Sequence, residues 1–91
     1  MNSKEAIALA SSPNTHDSIL HSLRHHEDPA VRLAVAKNPN TAADSLSSLY
    51  KDDDVEVLKV VATESRVFLM QKYAAIRKIR HMEWLEERKA S

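Results

Sequence analysis

Leu20 with Leu23, Val31 with Val35, Leu46 with Leu49 and Val57 with Val61 stand three or four residues apart, the spacing of one helix face. The first two pairs return as the last two at one fixed interval, by which Asp28 also returns as Asp54 and Ala10 as Ala36 and then Ala62. The pattern predicts short paired helices. Ser3 is the expected cap of a helix over Lys4 to Ala10, with Ala6, Ile7, Leu9 and Ala10 as its apolar face. Thr15 and Thr41 are the expected caps of two equivalent helices, the second reinforced by Asp44 three residues on, with cores Ile19, Leu20, Leu23 and Leu46, Leu49, Tyr50. Glu27-Asp28-Pro29 and Asp52-Asp53-Asp54 break them. Asp28, with Pro29 at the first helical position, and Asp54 then cap Ala- and Val-rich inner helices over Pro29 to Lys37 and Val55 to Thr63.

Between the pairs lies a repeated turn. Ser12-Pro13-Asn14-Thr15 returns as Asn38-Pro39-Asn40-Thr41, and the interval from Pro13 to Pro39 falls among the periods of roughly 20–50 residues that mark helical solenoids and related arrays. The run Asp28-Pro29-Ala30-Val31-Arg32-Leu33-Ala34-Val35-Ala36-Lys37 with Asn38-Pro39-Asn40-Thr41 resembles the signature of the leucine-rich repeat variant family. The resemblance covers about Ala6 to Thr63 and implies a right-handed, HEAT-like superhelix that serves protein contact and supplies no catalytic residue. The proline that often follows the turn is His16 or Ala42 here, and the third copy reads Glu64-Ser65-Arg66-Val67 without the turn. A cysteine cluster of that family has no counterpart, so no iron–sulfur role carries over. The expected fold is an all-α solenoid of two and a half repeats over residues 1–65, closed by a long C-terminal helix over residues 66–91, in one domain.

In that last segment, with neither Pro nor Gly from Arg66 to Lys89, Leu69, Tyr73, Ile76, Ile79 and Met82 advance by three or four residues. A helix of this length runs roughly 35 Å, about twice the reach of the inner helices. Its second half, with Ile79, Met82, Trp84 and Leu85, is therefore expected to overhang the body and to meet a partner. A second copy of the chain is the favoured one.

Composition narrows the classes further. A chain of 91 residues buries roughly 60–65% of its unfolded surface, which leaves modest stability. Without Gly there is no phosphate loop and no two-residue hairpin turn, and without Cys there is no disulfide or thiolate metal site. No signal peptide or membrane span is legible, so the expected location is cytoplasmic. The net charge of zero is uneven: six Lys/Arg against ten Asp/Glu up to Ser65, then seven against three.

Candidate chemistry is sparse. His21 and His25 share a helix face at metal-ligand spacing, but they also suit the end of an exposed helix, where a protonated imidazole favours the dipole. Asp17, Ser18 and His21 are too close on one helix to converge as a triad, and the Asp52 to Asp54 run lacks calcium-loop spacing. Arg66, Arg77, Lys78, His81 and Arg88 project onto a third of the terminal helix, a stripe that nucleic-acid phosphates would suit, although Glu83, Glu86 and Glu87 dilute its field. The expectation is a non-enzymatic protein-interaction module, an adaptor or inhibitor without cofactor, with a small nucleic-acid-binding protein as the alternative.

Overall fold

A computed structural model describes residues 2–90, so Met1 and Ser91, which the expected segment boundaries include, lie outside the described residues. All regular structure among them is helical. It comprises α1 (Ser3–Ser11), α2 (Asp17–Leu23), α3 (Pro29–Lys37), α4 (Ala43–Ser47) continued by a 3₁₀ turn (Ser48–Lys51), α5 (Val55–Thr63) and α6 (Leu69–Ala90). The odd-numbered helices begin at Ser3, Pro29 and Val55 and the even-numbered ones at Asp17, Ala43 and Leu69, so both series keep the period of the sequence through the third pair. The third copy of the turn therefore persists in register, although its sequence does not. Helix α3 packs between α1 and α5, and α6 lies along α5 and the 3₁₀ turn.

Local chemistry explains the boundaries. Asp28 Oδ1 accepts the Ala30 N–H at 2.9 Å with Pro29 at the first helical position, and Asp54 Oδ1 accepts from Glu56 and Val57, so α3 and α5 start as expected. Other expected caps are corrected. Asn2, not Ser3, caps α1, its Oδ1 accepting the Glu5 N–H at 2.8 Å. Thr15 and Thr41 do not cap α2 and α4. They are buried, and their hydroxyls donate to the Leu9 and Val35 carbonyls at 2.5 and 2.7 Å, which also accept the Ser12 and Asn38 N–H groups at the helix ends. The cap position falls one residue later, at His16 and Ala42. Asp44 accepts from its neighbour Ser45 instead of reaching back to Thr41. None of the described residues has a positive φ, which is how a chain without glycine makes every turn.

Two apolar clusters fill the interior. One joins Ala6, Ala10, Leu20, Leu23, Val31 and Val35, and the other Ala36, Leu46, Leu49, Val57, Leu58, Val61, Val67 and Ala75. The eight Leu and Val residues of the repeating pattern are all buried. Ile19 is exposed, contrary to expectation: its counterpart Ser45 is covered by the preceding pair through His21, and nothing precedes the first pair among the described residues.

Polar ties link successive pairs. Asn38 Nδ2 donates to the Ala10 and Ser12 carbonyls, both at 2.8 Å, and Asn40 Nδ2 to those of Pro13 and Thr15. One period later Arg66 Nη1 donates to Pro39 and Thr41, the equivalents of Pro13 and Thr15. An arginine thus does the work of the missing asparagine. In the acidic turns, Arg32 donates twice to Asp52, at 2.8 and 3.2 Å, and also to the His26 and Glu27 carbonyls. No helix among the described residues is long and apolar enough to cross a membrane.

Candidate interaction surface

Each outer helix presents one stripe to the pair that follows it. Asp17 Oδ1 of α2 accepts the Ala42 N–H at 2.9 Å, and His21 Nδ1 meets Ser45 Oγ at 2.7 Å. One period on, Ser47 Oγ of α4 accepts the Phe68 N–H at 2.9 Å. On α6 the residues at these positions are Leu69, for Asp17, and Tyr73, for His21 and Ser47. No further pair covers them among the described residues. Leu69 is 63% exposed and Tyr73 55%, with Met70 at 74% and Phe68 at 51% beside them.

This is a correction to the expected face of α6. Ile79 and Met82 do pack on the core, but Leu69 and Tyr73 point away from it. The buried seam is centred on Ala75, fully buried, because a methyl side chain lets α6 approach α5 closely, whereas a larger residue there would hold the helices apart. A pattern weighted towards large apolar side chains misses an alanine-centred seam. The stripe it does find is split between core and surface.

The expected overhang is displaced towards the C-terminus. Ile79 and Met82 are half-buried against the helix's own body, so of the four proposed contact residues only Trp84 and Leu85 remain exposed. Trp84 is also engaged locally: His81, a turn before it, stacks at 5.8 Å between centroids, and Arg88, a turn after it, lies 4.8 Å over the ring. Val55, Met82 and Leu85 line an open groove there with Glu83, Glu86, Glu87 and Lys89.

The expected basic stripe also divides. Arg66 precedes the helix and is occupied by the Pro39 and Thr41 carbonyls and by Glu64, whose Oε1 lies 3.0 Å from its Nε. Lys78 is half-buried, its Nζ donating to the Lys51 carbonyl at 2.6 Å and to Asp53 at 2.9 Å. Arg77, His81 and Arg88 are exposed on α6, together with Arg80. Two of the five residues therefore hold the protein's own turns together.

Around the histidines, Arg24 donates to His21 Nε2 at 2.9 Å and is hydrogen-bonded to His25 Nε2, so a cation lies between the two rings. His25 and Arg24 line an open cleft of 380 Å³ with His26, Arg32, Lys51 and Asp52, and His21 lies outside it. Among the described residues no group of three or more His, Asp or Glu is placed to hold a metal ion. The Ala30 N–H, with help from the Ser3 hydroxyl, lowers the Asp28 pKa, and the Lys78 ammonium lowers that of Asp53. Asp52 raises the Arg32 pKa in return for two hydrogen bonds. These carboxylates cap and clamp.

Sequence reasoning missed the edge formed by Phe68, Leu69, Met70 and Tyr73. The signal was the position-by-position comparison of successive periods carried past Ser65, which sets Leu69 against Asp17 and Ala43. Compared with protein families, curated proteins and solved structures, the chain matches none.

Proposed function

We propose that this protein is a non-enzymatic protein-interaction module, a short HEAT-like α-solenoid of three helix-pair repeats akin to the leucine-rich repeat variant family. Its contact face is the outward edge of the first two turns of α6. A cytoplasmic location belongs to the same proposal. The observation that carries the reading is the exposure of four adjacent large apolar side chains, Phe68, Leu69, Met70 and Tyr73, each more than half accessible. Large apolar side chains exposed together in this way cost solubility and mark interaction sites in monomeric domains. It supports protein contact better than the nucleic-acid alternative, because Arg66 and Lys78 are committed to internal carbonyls and the Trp84 ring already has two neighbours.

Two measurements on the full chain test this. Replacing Leu69 and Met70 together by Ser should leave helix content and thermal midpoint close to wild type, since neither side chain enters the core, while lowering binding of a hydrophobic dye to the folded protein. A collapse of the midpoint would make the edge part of the fold and remove the contact face. Labelled single-stranded and duplex oligonucleotides titrated at rising salt should show no specific binding. Tight binding that weakens steeply with salt and is lost in Arg77→Ala with Arg80→Ala would replace this reading with the nucleic-acid one.

A further inference from the structure

The two layers of the third pair end differently. In the inner layer, Ala30, Leu33 and Lys37 of α3 have Glu56, Lys59 and Thr63 as their counterparts on α5, all exposed, with Glu56 and Lys59 forming a surface ion pair at 3.5 Å. Leu33, which packs against the core on the α5 side, has become a lysine on a face that no described residue covers. A polar face of this kind does not invite a further layer. The outer layer does the reverse. Its stripe reads Asp17, His21 and Arg24 in the first pair, Ala43, Ser47 and Tyr50 in the second, and Leu69, Tyr73 and Ile76 in the third, becoming most apolar where no further pair among the described residues covers it.

We infer that a second copy of this chain covers the outer edge, with two α6 helices crossing antiparallel over their first two turns about a two-fold axis near Met70. The inference rests on the interaction reading above. Leu69 of each copy then meets Tyr73 of the other, and Phe68 closes one side. Head-to-tail continuation is disfavoured, because a following copy would have to bury Glu56 and Lys59. A two-fold arrangement avoids the inner layer, and it closes, so assembly stops at two. Full-length antiparallel pairing of the helices is disfavoured too: its two-fold would fall between Ile79 and Arg80, which brings the Arg80 side chains of the two copies together and draws Arg77 into the contact. A short crossing leaves both arginines at the rim, the usual arrangement of an apolar centre with a polar border.

Area sets the strength. The four side chains expose on the order of 500 Å² in each copy, given about 150–250 Å² for a whole aromatic side chain. Complete burial of all four in both copies would remove at most about 1,000 Å², the lower limit for a specific interface, so the pair should be weak.

Sedimentation of the full chain between about 1 and 200 μM tests the inference. The expected result is a reversible monomer–dimer equilibrium in the micromolar range that stops at two copies. Leu69→Glu should raise the dissociation constant at least about tenfold with unchanged helix content, since it puts two carboxylates at the centre of the contact. Trp84→Ala should leave it unchanged. The chain has no cysteine, so Met70→Cys gives a single thiol beside the proposed axis. Air oxidation should convert this variant to a disulfide dimer far faster than Lys59→Cys, which carries its thiol on the inner layer. A wild-type monomer at 200 μM overturns the inference and leaves the interaction reading standing. So do assemblies that grow beyond two, equal oxidation of the two thiols, or a dimer indifferent to Leu69→Glu. Salt-sensitive oligonucleotide binding, by contrast, removes the interaction reading whatever the oligomeric state.

Discussion

Three consecutive carboxylates do three different jobs in the turn before α5. Asp54 caps the helix, Asp53 is exposed and holds the Lys78 ammonium, and Asp52, its side chain 4% exposed, takes two hydrogen bonds from Arg32 while accepting the Asp54 N–H. The Arg32–Asp52 pair is enclosed enough that losing one partner strands the other. Asp52→Ala should cost about 3–5 kcal/mol in urea unfolding, much more than Asp53→Ala, whose ion pair is exposed and screened by solvent. Similar losses for the two would mean that Asp52 is solvated. Acid sensitivity follows from the lowered carboxyl pKa values of Asp28 and Asp53. A depressed carboxyl contributes stability above its unfolded value, near 3.8, and that contribution is lost as pH falls through the lower folded value. Asp28→Asn keeps a side-chain oxygen for the Ala30 N–H but cannot titrate. Its unfolding midpoint should therefore fall less steeply than that of wild type between about pH 4 and pH 2.

At the scale of elements, one side chain ties the turn of the third pair to that of the second. Arg66 reaches the Pro39 and Thr41 carbonyls that correspond to the Pro13 and Thr15 carbonyls held by Asn40. If the shared task is to satisfy these acceptors, Arg66→Asn should keep most of the stability, whereas Arg66→Ala should cost about 1–3 kcal/mol. Equal losses in the two variants would show that the guanidinium acts through Glu64 instead. The same comparison explains why the terminal helix keeps a fixed start. Leu69 opens α6 one period after Ala43 opens α4, because the Phe68 N–H is anchored on Ser47, and the helix then runs on for lack of any Pro or acidic turn to stop it.

The whole molecule is a slab of 45 × 29 × 15 Å in which α6 closes one side and then leaves it. Residues 83–89 are all exposed, so ending the chain after Met82 should change unfolding stability by no more than about 1 kcal/mol. Ending it after Arg77 also removes Ile79, Met82 and the Lys78 bridge to Asp53, and should cost at least about 2 kcal/mol. Equal stability of the two truncations in thermal and urea unfolding would mean that α6 contributes no packing beyond its first two turns.

What the sequence determined by itself was the period of the helix pairs, the limits of α3 and α5, and the buried Leu and Val positions, because each depends on signals a few residues apart: an Asp cap, a Pro at the first position, apolar residues on one helix face. Even the Asn-Pro-Asn-Thr turn was legible as a boundary. The roles of its residues were not, since Thr15 and Thr41 bond backward to the helix just finished, and Asn38 and Asn40 bond to carbonyls of the preceding turn, a full period away along the chain. Only the tertiary structure decided which side of α6 faces the core. The helix carries apolar residues on several sides, so periodicity leaves its rotation open, and the close approach to α5 at Ala75 settles it by turning Leu69 and Tyr73 outward.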